Sequence, residues 1–446
     1  MARKKKSVQA APAGRAGKGG KAAASAAEAS AGKVAPSRAN KGGAVRASAA
    51  NASARDRAPS GARASKGGKS VATAAGARDL TPSGAAPFDL SEVRKRIDGV
   101  DEQLQALINE RAKLAQLVGI SKSIDGRTVD FYRPEREAQV LRMAKDRNKG
   151  PLRDDEVLRL FREIMSACLA QQEPLKVAFL GPEGTFTQTA VFNHFGHSVR
   201  ALPLPSIDDV FREVEAGNTD FGVVPVENST EGVVNNTLDR FLNSPLKISG
   251  EVELRINQFL MGSMQSLDRI ARICSHPQSL AQCRAWLDQY LPNVERVPVA
   301  SNAEGARRAR DEEGTAAIAG QTAAEVYGLK VLAAEIEDRA DNSTRFFVIG
   351  RKLSEPSGSD RTTLLLSVGH TDAPGALFRL LEPFAQHEVS MTRIESRPSH
   401  RRKWDYVFFI DIEGHANDER VAKALQALEK RASLFRVLGS YPRAVL

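Results

Sequence analysis

Apolar positions fall into three regimes along the chain. Between residues 89 and 172 they recur three and four apart. Ile97, Val100, Leu104, Leu107, Ile108, Leu114, Leu117 and Val118 predict a long helix, capped by Asp89 or Ser91 and running to about Lys122. A second helix opens at Pro134, a favoured first-turn residue, and continues through Val140 and Leu141. A third runs from about Asp154 to Gln172 on Val157, Leu158, Phe161, Ile164, Met165, Cys168 and Leu169. From 175 to 353 short apolar runs alternate with helical stretches. Lys176–Leu180, Phe221–Val226, Arg272–Cys274, Val297–Val299, Ala316–Ile318, Val331–Ile336 and Phe346–Ile349 read as strands. That alternation predicts an α/β body on parallel sheets, with ligand at the carboxyl edges of the strands. From 360 onward the order is βαββαβ, a ferredoxin-like α+β unit. Its strands are Thr362–Val368, Val389–Ser396, Tyr406–Ile412 and Phe435–Gly439, and its helices Gly375–His387 and Asp418–Arg431. The expected domains are 88–173, 175–353 and 360–446, behind a segment 1–87.

Composition changes the picture mainly for that first segment. It holds 17 Lys and Arg against Glu28, Asp56 and Asp79, a net +14 in a chain of net +10, so the remainder carries −4. With almost no aliphatic residue beyond alanine, this Ala/Gly/Ser/Lys-rich tail cannot bury enough apolar surface to offset chain entropy and is expected to be disordered. A tail of this charge can touch polyanions, nucleic acid included; a solvated spacer is the reading its composition favours. The charged start Met1-Ala-Arg-Lys-Lys-Lys lacks the apolar run of a secretory signal, although the Arg/Ser/Ala bias also resembles an organelle transit peptide. No apolar run of about 18 residues predicts a membrane span. Cys168, Cys274 and Cys283 fit free thiols in a reducing, cytoplasmic compartment. The seven histidines show no metal spacing, so no metal is expected, and no cofactor is expected either.

Charges interrupt the apolar stripe of the long helix. Arg111 lies seven residues after Leu104 and seven before Val118, Lys122 follows Val118 by four, and Arg94 precedes Ile97 by three. An inward cation needs an anion, from an ion pair or from a ligand. Arg111 and Lys122 are roughly 16 Å apart along the axis and can converge, whereas Arg94 and Arg111, roughly 25 Å apart, cannot share one small ligand. Arg94 is therefore expected to serve the pocket of a second copy, and some 85 residues in three helices make a poor monomeric core. The pattern Arg94, Arg111, Lys122, Arg136-Glu137, Gln172 resembles the all-helical bacterial chorismate mutase domain, an intertwined homodimer. The resemblance implies that Arg94, Arg111, Lys122 and Arg136 bind the substrate, and that Glu137 and Gln172 engage its hydroxyl and ether oxygen. Arg133 stands where the family has aspartate, and Cys168 where a serine faces the ligand. The implied reaction, chorismate to prephenate, is pericyclic; cations and an amide that fold the substrate and stabilise charge on the ether oxygen suffice.

In the α/β body each strand end carries hydroxyls and amides. Gly181-Pro-Glu-Gly-Thr-Phe-Thr187 feeds a helix, the kind of turn that presents backbone N–H groups to an anion. Glu227-Asn-Ser-Thr230, Ser275-His-Pro-Gln278 and Thr344-Arg-Phe346 follow. That profile suits a small polyoxygenated anion held by neutral donors. The four motifs, in this order, resemble prephenate dehydratase, whose fold is two α/β lobes closing like periplasmic binding proteins. The resemblance places the catalytic hydroxyl on Thr344 and substrate contacts on Thr187, Glu227, Asn228, Ser229, Ser275, Gln282 and Arg345, with Arg345 structural or carboxylate-anchoring. Prephenate loses carbon dioxide and its ring hydroxyl to become phenylpyruvate, a downhill fragmentation in which one well-placed weak donor is adequate.

The C-terminal unit resembles an ACT domain. Gly375-Ala376-Leu377 and Glu395-Ser396-Arg397-Pro398 match its two phenylalanine-binding stretches, with Ser390 where asparagine is common. Together the resemblances imply a bifunctional enzyme of phenylalanine biosynthesis, a dimer or higher homo-oligomer, inhibited by L-phenylalanine. Two alternatives stay open: a non-catalytic ligand-binding regulator on the same folds, and a dehydratase that also uses arogenate.

Overall fold

The computed structural model describes residues 89–124, 132–368, 374–399 and 405–445, without side chains at 119 and 121–124. The basic segment 1–87 and the side chain of Lys122 lie outside the described residues.

Three helices open the described chain: α1 (Leu90–Ile124), α2 (Pro134–Arg147) and α3 (Asp154–Ala170). Pro134 occupies the first turn of α2, where its missing N–H costs nothing. Leu141 and Leu158 are buried between α2 and α3. The apolar row of α1 stays open, with Leu107 61% and Leu117 60% exposed. A 35-residue helix with such a stripe lacks its covering surface among the described residues.

The α/β body has two lobes. Lobe one contains β1 (Lys176–Leu180), α4 (Phe186–Phe195), β2 (Arg200–Leu204), α5 (Ile207–Glu215), β3 (Phe221–Asn228), β4 (Gly232–Val233), α6 (Asn235–Phe241) and β5 (Lys247–Arg255). Lobe two contains β6 (Phe259–Gly262), β7 (Arg272–Ser275), α7 (Pro277–Gln282), α8 (Arg284–Tyr290), β8 (Glu295–Pro298), α9 (Asn302–Asp311), β9 (Thr315–Ala319), α10 (Gln321–Tyr327) and β10 (Lys330–Ala333). The chain then returns to lobe one as β11 (Ser343–Gly350), giving sheet orders β2-β1-β3-β11-β5 and β10-β6-β9-β7-β8.

The sheets are mixed rather than parallel. β11 runs antiparallel to both β3 and β5, and β6 antiparallel to β9 and β10. The reason is the double crossing: a strand that re-enters lobe one from lobe two arrives against the direction of β3. Its amino end therefore lies beside the carboxyl end of β3, and that juxtaposition builds the site.

The last unit comprises β12 (Asp360–Ser367), α11 (Ala376–Gln386), β13 (Met391–Pro398), β14 (Tyr406–Glu413), α12 (Glu419–Glu429) and β15 (Leu434–Pro442), in sheet order β13-β14-β12-β15. This is the ferredoxin-like order. One face packs on its own helices through Leu364, Leu366, Ile410 and Leu428. The other face shares a core with lobe one, where Leu365, Phe409, Leu438 and Tyr441 meet Val224, Val226, Phe347 and Ile349. At this seam β15 approaches β5 so closely that a Cβ on Gly439 would collide with the carbonyl oxygen of Ile248. Gly439→Ala must push the two backbones apart. It should cost about 1–3 kcal/mol, read as a lower midpoint in urea unfolding; an unchanged midpoint contradicts the close approach.

Candidate active site

Thr344 and Asn228 are partners in the β11–β3 ladder. Asn228 Nδ2 donates to Thr344 Oγ1 at 2.8 Å and to Asn342 Oδ1 at 3.0 Å. Ser229 is joined to Ser343 twice, through backbone N–H to carbonyl at 2.9 Å and Ser343 N–H to Ser229 Oγ at 2.9 Å. From lobe two, Gln282 Oε1 accepts from Asn342 Nδ2 and from Gln258 Nε2, each at 3.2 Å. Asn228, Ser229, Gln282 and Thr344 thus form one bonded group, and its polar side chains are neutral. Ser275 is fully buried and bonded elsewhere, donating toward Ile318 O at 2.6 Å and Asn302 Oδ1 at 3.0 Å. Thr187 is buried in the first turn of α4, just after Gly184, whose N–H is taken by Gln188 Oε1 at 2.6 Å. Nearby, Thr189 meets Thr322 at 2.8 Å and Tyr327 donates to the Glu183 carbonyl at 3.1 Å, tying the lobes together.

Strand alternation sends Arg345 and Glu227 to the opposite face. The Arg345 guanidinium donates to Glu251 Oε2 at 2.9 Å, Asp411 Oδ2 at 2.6 Å and Tyr441 Oη at 3.0 Å, with its plane over the Phe347 ring. Thr363 donates to Asp411 Oδ1 at 2.6 Å and meets Tyr441 Oη at 2.8 Å. Asp411 is fully buried, and Arg361 adds a second cation to Glu251. Burial alone would lower the Arg345 pKa, yet Tyr441, Asp411 and Glu251 together hold it above its ordinary value. Burial likewise pushes the Tyr441 hydroxyl up. Glu227 pairs with Arg393 Nε at 2.8 Å. Of the two effector stretches, Gly375 adopts left-handed φ of 76° before α11, with Ala376 and Leu377 following. Glu395, Ser396, Arg397 and Pro398 lie on β13, an edge strand. Arg397 reaches back to lobe one, donating to Asp239 at 2.8 and 2.9 Å and to Asn235 at 2.7 Å.

In the helical unit, Glu137 on α2 faces Arg111 on α1 and Arg162 on α3. Burial pushes its carboxyl up to about 7, with Arg162, a hydrogen bond from Tyr132 and Arg111 acting the other way. Gln172 Nε2 donates to the Ala115 carbonyl at 2.7 Å, one turn along α1 from Arg111. Cys168, four residues before Gln172, is buried; Arg136 and Arg94 are exposed. Tyr132 bonds His194 at 3.0 Å, and burial followed by Arg162 lowers the His194 pKa to about 3, so that imidazole is neutral. Sequence reading passed over Arg162, Gln258 and Asn342. Arg162 had a signal, since it follows buried Leu158 by four and so points inward.

A helical unit holding inward cations, a two-lobed α/β body with a hydroxyl-and-amide cluster between its lobes, and a ferredoxin-like module define a multidomain small-molecule enzyme class. Residues 93–173 match the family chorismate mutase type II, 177–354 prephenate dehydratase and 364–430 the ACT domain. A bifunctional chorismate mutase/prephenate dehydratase of Stutzerimonas stutzeri is 54% identical over 361 residues, spanning 80% of this chain and 98% of that protein. One of Pseudomonas aeruginosa has the same identity and coverage. The crystal structure of a prephenate dehydratase from Arthrobacter aurescens, in complex with L-Phe, is 38% identical with a TM-score of 0.57, covering 60% of this chain and 90% of that one. The chain belongs to the bifunctional chorismate mutase/prephenate dehydratase family. Among the described residues no helix is long and apolar enough to cross a membrane.

The Arg345 cluster generates its own test. Arg345→Met leaves Glu251 short of one cation and Asp411 without its only ion-pair partner among the described residues, so it should cost about 3–5 kcal/mol in urea unfolding. Wild-type stability in that variant contradicts the anchoring role.

Proposed function

We propose that the two activities of this family are carried by the residues that the resemblance marks, among them the bonded group Asn228, Ser229, Gln282 and Thr344. The chain is an enzyme of phenylalanine biosynthesis with a mutase and a dehydratase unit. At the mutase site Arg111, Lys122 and Arg136 hold the two carboxylates of chorismate, Glu137 its hydroxyl and Gln172 its ether oxygen, beside Cys168. Arg94 serves the site of a second copy. The exposed apolar row of α1 supports that homodimer, because burying it against an equal row is the simplest way to cover it. Prephenate then reacts at the cleft. Thr344 donates to the departing ring hydroxyl while the ring carboxylate leaves as carbon dioxide; Asn228, Ser229, Gln282 and Thr187 line the pocket, and Ser275 braces Asn302 and Ile318 from within lobe two. Arg345 and Glu227 act from the far face of the sheet, holding the ACT unit to the catalytic strand. L-Phenylalanine binds at Gly375–Leu377 and Glu395–Pro398 and favours a less active arrangement. A cytoplasmic site suits the three cysteines, free and buried.

The observation that carries the dehydratase reading is the 2.8 Å bond from Asn228 Nδ2 to Thr344 Oγ1. An oxygen that accepts this bond keeps its own hydrogen free to donate outward. Thr344→Val should lower the dehydratase kcat by about 10²–10³-fold while the mutase rate of the same chain stays unchanged, and Thr344→Ser should retain most turnover. Normal dehydratase turnover in Thr344→Val removes the assignment.

Glu137 gives a pH test. Its carboxyl is raised in the folded protein, so it is protonated below about 7 and charges as pH rises through that value. Charging it sets a carboxylate against a doubly anionic substrate. Mutase kcat/KM should therefore fall as pH rises through 7, and Glu137→Gln should flatten that limb. An unaltered limb in the variant assigns the titration to another group.

A further inference from the structure

We propose that Asn342 is a positioning residue of the dehydratase site, fixing the direction of the amides so that two hydrogen-bond donors, the Thr344 hydroxyl and the buried Gln282 Nε2, are left uncommitted by the protein. Thr230 N–H and Glu231 N–H both donate to Asn228 Oδ1 at 3.0 Å. A backbone N–H can only donate, so the Asn228 oxygen is pinned on that side and its NH2 must face Thr344, Asn342 and the Ser343 carbonyl. Asn342 is then obliged to present its oxygen to Asn228. That oxygen also accepts from Thr230 Oγ1 at 3.2 Å. The Asn342 NH2 consequently points the other way and donates to Gln282 Oε1 at 3.2 Å. The same oxygen takes Gln258 Nε2.

Each amide along this path inherits its orientation from the one before. At its ends stand the Thr344 hydroxyl hydrogen and Gln282 Nε2, a nitrogen buried and without a partner among the described residues. Gln258 Oε1 is left likewise open as an acceptor. Asn342 is itself 3% exposed and lies between the lobes, with Asn228 at the end of β3 on one side and Gln282 at the end of α7 on the other. It joins the two donors into one site only when the lobes are together. A buried donor without a partner is costly, and a ligand with acceptor oxygens on two sides, as a hydroxylated carboxylic acid offers, would satisfy it together with Thr344.

This inference rests on Thr344 as the donor, and the test separates the two claims. The full chain is assayed with prephenate for dehydratase turnover and with chorismate for mutase turnover, the latter reporting that each variant is folded. Asn342→Ala should lose about 10²-fold in dehydratase kcat/KM at every pH, with mutase turnover unchanged. Asn342→Asp keeps the shape and the acceptor toward Asn228 but, when ionised, has no hydrogen for Gln282. It should be as impaired at neutral pH and recover as pH falls and the new carboxyl regains a proton to donate. Asn342→Ala within twofold of wild type, beside an inactive Thr344→Val, overturns the positioning role alone. A pH-independent deficit in Asn342→Asp overturns the polarity argument in favour of packing. A fully active Thr344→Val overturns both this inference and the reading beneath it.

Discussion

Arg345 neutralises carboxylates from two domains at once, and the architecture depends on it. Glu251 comes from the neighbouring strand of lobe one and Asp411 from the middle of the ferredoxin-like sheet. Asp411 is fully buried and takes its charge partner from Arg345, while Glu251 shares Arg345 with Arg361; a buried carboxylate stripped of its cation costs a large share of a folded protein's margin. With the cation in place, the apolar faces around it close: Phe347, Phe409, Leu438 and Tyr441 pack as one core. The sensor unit is thereby seated on the strand that carries Thr344, one residue away and on the other face. Movement at the seam has a covalent path of one peptide unit to the Thr344 hydroxyl.

The two chemistries ask opposite things of their sites, and the side chains divide accordingly. A rearrangement that makes and breaks bonds within one molecule needs its substrate folded and its growing charge met, which inward cations on long helices supply. A fragmentation driven by aromatisation needs a donor for a leaving hydroxyl and no strong base. The cluster at Thr344 is built from hydroxyls and amides, and the Arg345 guanidinium lies on the other side of the sheet. The Arg345 guanidinium is turned from the Thr344 cluster toward Glu251, Asp411 and Tyr441.

Local pattern carried much of this in advance. The three helices were legible because their apolar residues keep a spacing of three and four and because Pro134 marks a first turn. The ferredoxin-like order was legible from βαββαβ alone. Strand directions were not, since a sequence does not record that the chain leaves lobe one and comes back. β5 escaped notice because Ser249, Glu251 and Glu253 alternate with Ile248, Val252 and Leu254, and its glutamates read as solvent-facing. Glu251 is 6% exposed, its partners Arg345 and Arg361 lying 94 and 110 residues further on. Asn342 hid for the same reason, as one more turn-former in a polar run whose contacts lie 60 and 114 residues distant. Adjacency to Thr344 drew Arg345 into the substrate pocket on resemblance, where period-two alternation already pointed it to the other face.

The account stands on one chain carrying chorismate through to an aromatic keto acid. The most direct measurement is a single time course: purified full-length protein, chorismate as the only substrate, and the ultraviolet absorbance of phenylpyruvate in alkali, with and without L-phenylalanine. The account predicts that chorismate disappears, prephenate rises and falls, phenylpyruvate accumulates after a lag, and added phenylalanine slows its formation. Chorismate left intact, or consumed without phenylpyruvate appearing, would contradict it.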